Sequence, residues 1–202
     1  MAILRRGDLF QWHTVAFLAL VVYVYSVEVE RRSWNVLLAG LAFYGLEWLL
    51  EIGNALVLKL SGHSALWTTP GQTSFLILCG LTIEISFMFA IAGITFTKNL
   101  PVDPRARILG LNNRLFLSVA FALFCVAVEV WLNHIGALVW TYSFWSFPHV
   151  WLVFLIGYLP YFLLACWVHD HPRREVQVGV VVALFSLDAV LLAVFAGVLG
   201  WI

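Results

Sequence analysis

The stretch Phe43-Tyr44-Gly45-Leu46-Glu47-Trp48-Leu49-Leu50-Glu51-Ile52-Gly53-Asn54-Ala55-Leu56-Val57 decides how this chain reads. Its apolar residues continue for the length of a bilayer crossing, yet two carboxylates lie inside them. Gly40, Tyr44, Glu47, Glu51 and Asn54 recur at spacings of four, three, four and three, which sets them along one stripe of a 3.6-residue helix. An ionisable group at bilayer depth costs about 2.5–3.5 kcal/mol on insertion scales, so such a stripe faces a protein interior and not lipid. The segment reads as one wall of a membrane-embedded bundle.

The rest of the chain agrees. Of its 202 residues 63% are hydrophobic and 11% charged, against about a quarter charged in a soluble domain. A crossing needs about 20 apolar residues, and six runs supply them: roughly 9–27, 36–58, 72–97, 113–134, 149–168 and 177–199. None alternates with period two, and each is about twice the length of a barrel strand. The expected fold is all-α, a polytopic membrane bundle of six transmembrane helices, with 1–202 forming a single integral membrane domain. Arg5 and Arg6 precede the first run as in a signal peptide. That run is too long, however, and no small-residue cleavage motif follows before Glu28 and Glu30, so a retained helix is expected.

Net charge is zero and the basic residues fall in short clusters, without the basic face that nucleic acid requires. Cys79, Cys125 and Cys166 all lie in apolar runs without metal-ligand spacing and read as packing residues.

Between the runs, two kinds of loop alternate. Glu28–Arg32, Lys98–Arg107 and His169–Glu175 are charged turns; Ser61–Gln72 and Gly136–Pro148 are almost uncharged and rich in Trp, Ser, Thr and Pro. The charged side holds Arg31, Arg32, Lys98, Arg105, Arg107, Arg114, Arg173 and Arg174, against Arg5, Arg6 and Lys59 opposite. The positive-inside rule makes the charged loops cytoplasmic and puts both termini outside. Trp67, Trp140 and Trp145 are then expected in the outer headgroup zone, where an indole anchors well. With no organelle signal, a bacterial inner membrane is the simplest host.

An internal similarity is also visible. Glu47–Val57 aligns without a gap onto Glu129–Val139, matching at the Glu, a Leu and the final Ala-Leu-Val, and each segment is followed by Trp-x-x-Pro, at Trp67 and Trp145. The segments lie on the second and fourth spans and run in the same direction, so the pattern corresponds to a parallel helical-hairpin repeat, an arrangement known in transporters. Chance likeness between two apolar helices is the competing explanation.

Five acids lie within the runs: Glu47, Glu51, Glu84, Glu129 and Asp188. Ser118, Ala122, Cys125, Glu129, Asn133 and Gly136 form a second small-and-polar stripe on the fourth helix, expected to face the second. Glu84 reads as mid-span on the third helix, and Asp188 as mid-span on the sixth. His13, His134 and His149 fall toward the outer ends of their helices, so an outward pocket is expected. Any single such Glu can be a neutral packing pin. Three on two facing stripes exceed what packing needs, since Ser or Thr would supply it at lower cost.

One chemistry these residues fit is acid–base catalysis on a lipophilic, isoprenoid- or sterol-like molecule, by an isomerase or cyclase. Glu47, Glu51, Glu129 and Glu84 are the candidate catalytic residues, one carboxyl donating a proton while another accepts. Tyr44, Trp48, Asn54, Trp131, Asn133 and Trp140 are candidates to line the substrate pocket, their aromatic rings stabilising cationic character. No cofactor is then required. An alternative is a metal-centre oxidoreductase, with Glu51, Glu84, Glu129, His134 and His149 holding iron, manganese or zinc, although the Glu-x-x-His pairs of di-iron bundles are absent. A third reading is a small transporter, or a non-catalytic subunit of a membrane complex. Six helices are few for a transport pathway unless the protein forms a homo-oligomer or joins a larger assembly.

Overall fold

The computed structural model describes residues 10–202; Arg5, Arg6 and the first residue of the 9–27 run lie outside the described residues. Six helices follow in order: α1 Trp12–Glu30, α2 Trp34–Ser61, α3 Ile83–Lys98, α4 Asn113–His134, α5 Val150–Asp170 and α6 Arg174–Val198. All but α3 are long and apolar enough to cross a membrane, and α3, at 16 residues, is about 24 Å long at 1.5 Å per residue. The protein is an all-α, six-helix integral membrane bundle.

The third run departs from expectation. It is helical only from Ile83, because Thr82 caps α3 by accepting the Ile85 N–H at 3.2 Å. Before it, the chain folds back on itself: Ile77 N–H donates to the Leu81 carbonyl at 2.8 Å, and Leu76 bridges to Thr82. An apolar run thus holds a cap and a reverse turn, and the residues from 72 to 82 become part of the loop beyond α2.

The two loop types segregate to opposite faces. On one, Lys98 pairs with Glu28 at 2.6 Å, Arg114 with Asp170 at 2.7 Å, and Arg174 donates to the Asn35 amide oxygen at 3.2 Å. These contacts gather the ends of α1, α3 and α5 with the starts of α2, α4 and α6. A tight hairpin also lies here, β2 (Arg107–Ile108) with β3 (Leu111–Asn112). Its turn residues Leu109 and Gly110 both have positive φ, 51° and 84°, the geometry a two-residue hairpin turn requires. On the opposite face β1 (Trp67–Thr68) pairs antiparallel with β4 (Val139–Trp140), joining the loop after α2 to the loop after α4.

Helix α2 is central and packs against α1, α3, α5 and α6. Its crossing with α3 is close because both helices present glycine: a Cβ on Gly93 would lie 2.9 Å from the Gly40 carbonyl oxygen, the small-residue contact by which membrane helices approach. Helix α4 packs on α5. The expectation that the α2 and α4 stripes face each other directly is therefore corrected: α5 stands between them. Phe43, Phe96, Phe162 and Tyr161 fill the core where α2, α3 and α5 meet.

Candidate functional site

Glu47 and Glu51 lie one turn apart on α2, each 3% exposed, and Glu129 on α4 is 6% exposed. Shared neighbours bring the three carboxyls into one cluster. Helix α5 fills the space between them with two tyrosines. Tyr161 donates its hydroxyl to Glu47 Oε2 at 2.5 Å, and the Tyr158 hydroxyl lies beside the Glu129 carboxyl. Pro160 explains their placement. It has no N–H to offer and crowds the preceding turn, and α5 widens into a π-helical segment, Val153–Tyr158, immediately before it. Such widened turns re-aim side chains, and here the tyrosines reach acids on two different neighbours.

The β1–β4 pair closes this cluster. Trp67 donates its indole N–H to Glu51 Oε1, and Trp140 donates its own to Glu129 Oε1, both at 2.8 Å. Trp145 stacks on Trp67, centroids 5.7 Å apart, and is 4% exposed. Trp67, Trp140 and Trp145 were expected at the headgroups; they are instead turned inward, because the strand pairing aims two of them at carboxyls and stacking holds the third. Gly80 leaves room for this contact, since a Cβ there would come within 2.5 Å of Trp67 Nε1 and 2.7 Å of Glu51 Oε2. Asn54 pins the strand from below, accepting from the Leu66 N–H (2.8 Å) and donating to the Trp67 carbonyl (2.8 Å). Asn133 acts similarly on the other loop, donating to the Leu138 carbonyl at 3.0 Å.

These contacts also bear on the internal similarity. By position and bonding the counterpart of Glu129 is Glu51, not Glu47: each accepts from an indole of the shared strand pair, and each precedes an Asn that ties down the following loop. The correspondence therefore carries gaps, with 16 residues from Glu51 to Trp67 and 11 from Glu129 to Trp140.

Other sequence candidates lie elsewhere. Glu84 is in the first turn of α3, not mid-span, because that helix starts late. It is bound by Thr73 Oγ1, by the Ser74 N–H at 2.9 Å and by Thr14 Oγ1 at 3.0 Å, with His13 Nε2 at 3.6 Å. Trp131 is 60% exposed; two residues beyond Glu129, it is turned about 200° around α4. Tyr44 shares a hydrogen bond with Ser86 of α3 at 2.6 Å, and Trp48 packs toward α6 with Ile52 and Leu191. His134 and His149 are exposed. The set Glu51, Glu84, Glu129, His134 and His149 is thus dispersed, and among the described residues no group of three or more His, Cys, Asp or Glu is placed to hold a metal ion. Asp188 is buried on α6, and neither of its oxygens has a hydrogen-bond partner among the described residues. Sequence reasoning missed Tyr158 and Tyr161, whose one polar signal was a pair of hydroxyls three residues apart around a proline.

A family model described as "Uncharacterized membrane protein family" matches residues 1–197. The chain belongs to that family. An uncharacterized protein of Archaeoglobus fulgidus is similar over the whole chain, 47% identical across 202 residues that cover 100% of this chain and 96% of its own. A second A. fulgidus protein, also described as uncharacterized, is 51% identical over 51 residues, 25% of this chain and 91% of that protein. No solved structure matches.

Proposed function

We propose that this protein is a membrane-embedded enzyme that isomerises or cyclises a lipophilic, isoprenoid- or sterol-like substrate through Glu47, Glu51 and Glu129. One observation carries the reading: three carboxyls from two helices and two phenols from a third gather beneath indoles, in a lipid-shielded interior. Helix packing alone does not call for so many ionisable groups at depth.

The hydrogen bonds suggest roles. The Trp67 N–H occupies Oε1 of Glu51, so when Glu51 is neutral its proton sits on Oε2, an atom with no partner among the described residues. Glu51 is the acid. Glu47 accepts from Tyr161 through Oε2, which leaves its other oxygen to receive a proton and suits the base. The acid's proton adds to a substrate double bond and leaves a carbocation, which the stacked Trp67 and Trp145 rings stabilise. The base then removes a proton from a neighbouring carbon, forming a new double bond, before or after ring closure. Glu51 ends as carboxylate and Glu47 as acid; a proton passed along one helical turn restores both. Glu129, held by Trp140 and flanked by Tyr158, sets the field around the pair.

The charged face is cytoplasmic in this reading, and the aromatic loops face outward. The archaeal relatives support a prokaryotic cytoplasmic membrane as host, a wider setting than a bacterial inner membrane.

The test compares lipid extracts of cells expressing the wild-type chain with extracts from Glu51→Gln and Glu47→Gln/Glu129→Gln variants shown to be folded. A lipophilic product of unchanged mass and altered retention, present only with the wild type, is expected. Full product formation in the double variant excludes the acid–base mechanism. An ion flux lost in the same variants, with unchanged lipid extracts, replaces the enzyme by a transporter.

A further inference from the structure

We propose that the charged face carries a second, separate site, which binds a membrane lipid with an anionic phosphoglycerol-type headgroup. The site does not depend on the reaction proposed above. Two cavities of about 500 and 470 Å³ adjoin there, and Arg114, Asp170, His171 and Pro172 border both. Their other walls differ in kind. The first is lined by Leu115 of α4 with Leu163 and Trp167 of α5, which are 45, 40 and 49% exposed on the outer surface of the bundle. In a membrane those side chains meet acyl or isoprenoid chains. The second is lined by Asn35, His169, Arg174 and Gln177, beyond the apolar spans. An apolar groove running into a polar chamber is the division of an amphiphile.

Charge selects the headgroup. Asp170 is already neutralised by a two-pronged pair with Arg114, Nε to Oδ2 at 2.7 Å and NH2 to Oδ1 at 2.9 Å. His169 Nδ1 also lies 2.8 Å from Asp170 Oδ1, which leaves Arg174, whose side chain donates to the neutral Asn35 amide oxygen at 3.2 Å, together with His171. Helix α6 also begins at Arg174 without a side-chain cap, and the uncapped start of a long helix favours phosphate oxygens. Basic pockets at this end of membrane bundles are suited to anionic headgroups.

An independent observation asks for a donor as well. Gln177 is 1% exposed and lines the polar chamber. Its Nε2 donates to the carbonyls of Val168 at 2.8 Å and His171 at 3.0 Å, while its Oε1 has no partner among the described residues. A buried acceptor left alone bears its full desolvation penalty. A headgroup hydroxyl beside the phosphate supplies the missing proton donor, so phosphate and hydroxyl on one lipid account for Arg174, His171 and Gln177 together.

The experiment uses the full chain in a neutral detergent. Thermal unfolding and native mass spectrometry are followed with added phosphatidylglycerol, phosphatidylcholine or glycerol phosphate. Phosphatidylglycerol is expected to raise Tm and to remain bound as an adduct, while the other two do neither. Arg174→Gln combined with His171→Gln weakens phosphatidylglycerol binding about tenfold, the worth of one charge-assisted contact. Leu163→Trp, which fills the groove and leaves every charge in place, weakens it to a similar degree. Equal stabilisation by phosphatidylcholine reduces the site to general lipid contact and overturns the proposal. So does equal stabilisation by glycerol phosphate, which makes it a soluble-anion site, or unchanged phosphatidylglycerol binding in both variants.

Discussion

Trp67 and Trp140 stand opposite one another in the register of the β1–β4 pair, and each sends its indole N–H to a different buried glutamate at 2.8 Å. Two loops from distant parts of the chain are therefore joined to each other and to the acids beneath them. Replacing either tryptophan by Phe keeps the ring and removes the donor. Each variant is expected to lose about 1–3 kcal/mol, the cost of a buried acceptor left unpaired. Because the two share one strand pair, a double-mutant cycle in chemical unfolding should show coupling of at least about 0.5 kcal/mol; simple additivity would mean that the loops act independently.

Gly80 tests the closeness of that contact. A methyl group there meets Trp67 Nε1 and Glu51 Oε2 inside normal contact distance, so both the indole and the carboxyl must give way. Gly80→Ala should cost about 1–3 kcal/mol and shift tryptophan fluorescence to the red as the ring is displaced. An unchanged spectrum and Tm would show that Trp67 has room to spare.

Tyr161 and Glu47 form a buried pair in which the phenol satisfies the carboxyl. Tyr161→Phe strands Glu47 and should destabilise by about 1–3 kcal/mol. Adding Glu47→Leu removes the stranded group, so the double variant should be more stable than Tyr161→Phe alone while lacking any activity that depends on Glu47. Comparison of unfolding midpoints for the two variants decides the matter.

Asp188 behaves oppositely. Its oxygens are buried and make no hydrogen bond among the described residues, so it contributes no bond that a substitution could remove. Asp188→Leu should leave the fold intact and raise stability by about 1–3 kcal/mol, the cost of an unpaired buried polar group. A fall in Tm would reveal a bonded partner for the carboxyl in the membrane.

At the charged face the Arg114–Asp170 pair is two-pronged and its side chains are 11% and 26% exposed. Arg114 also donates to the Pro101 carbonyl at 2.9 Å. Lysine carries the charge but not the fork, so Arg114→Lys should recover less than half of a loss of about 2 kcal/mol caused by Arg114→Ala. Full recovery by lysine would reduce the pair to a point-charge contact.

The six helices and the alternation of charged and uncharged loops were legible in the chain because hydropathy and punctuation are local properties. So was the α2 stripe, since Glu47, Glu51 and Asn54 need only helical periodicity to share a face. Trp131 was assignable to the outside by the same geometry, being two positions past Glu129. Glu84 was not, because α3 starts at a threonine cap inside an apolar run, where hydropathy gives no warning. The inward roles of Trp67 and Trp140 depend on a strand pair between segments more than seventy residues apart, and the place of α5 between α2 and α4 is a matter of topology. Neither leaves a trace in local sequence. Tyr158 and Tyr161 were hidden for a simpler reason: in an apolar span a tyrosine resembles a packing residue until something shows where its hydroxyl points.

The glycine contact between α2 and α3 brings backbone against backbone, whereas α4 packs chiefly on α5. The distance from α2 to α3 is thus set by main chain, and that from α2 to α4 by the girth of α5. Glu47 and Glu51 belong to the first spacing and Glu129 to the second, so a change of side-chain volume on α5 would alter the separation between Glu129 and the α2 pair while leaving that pair undisturbed.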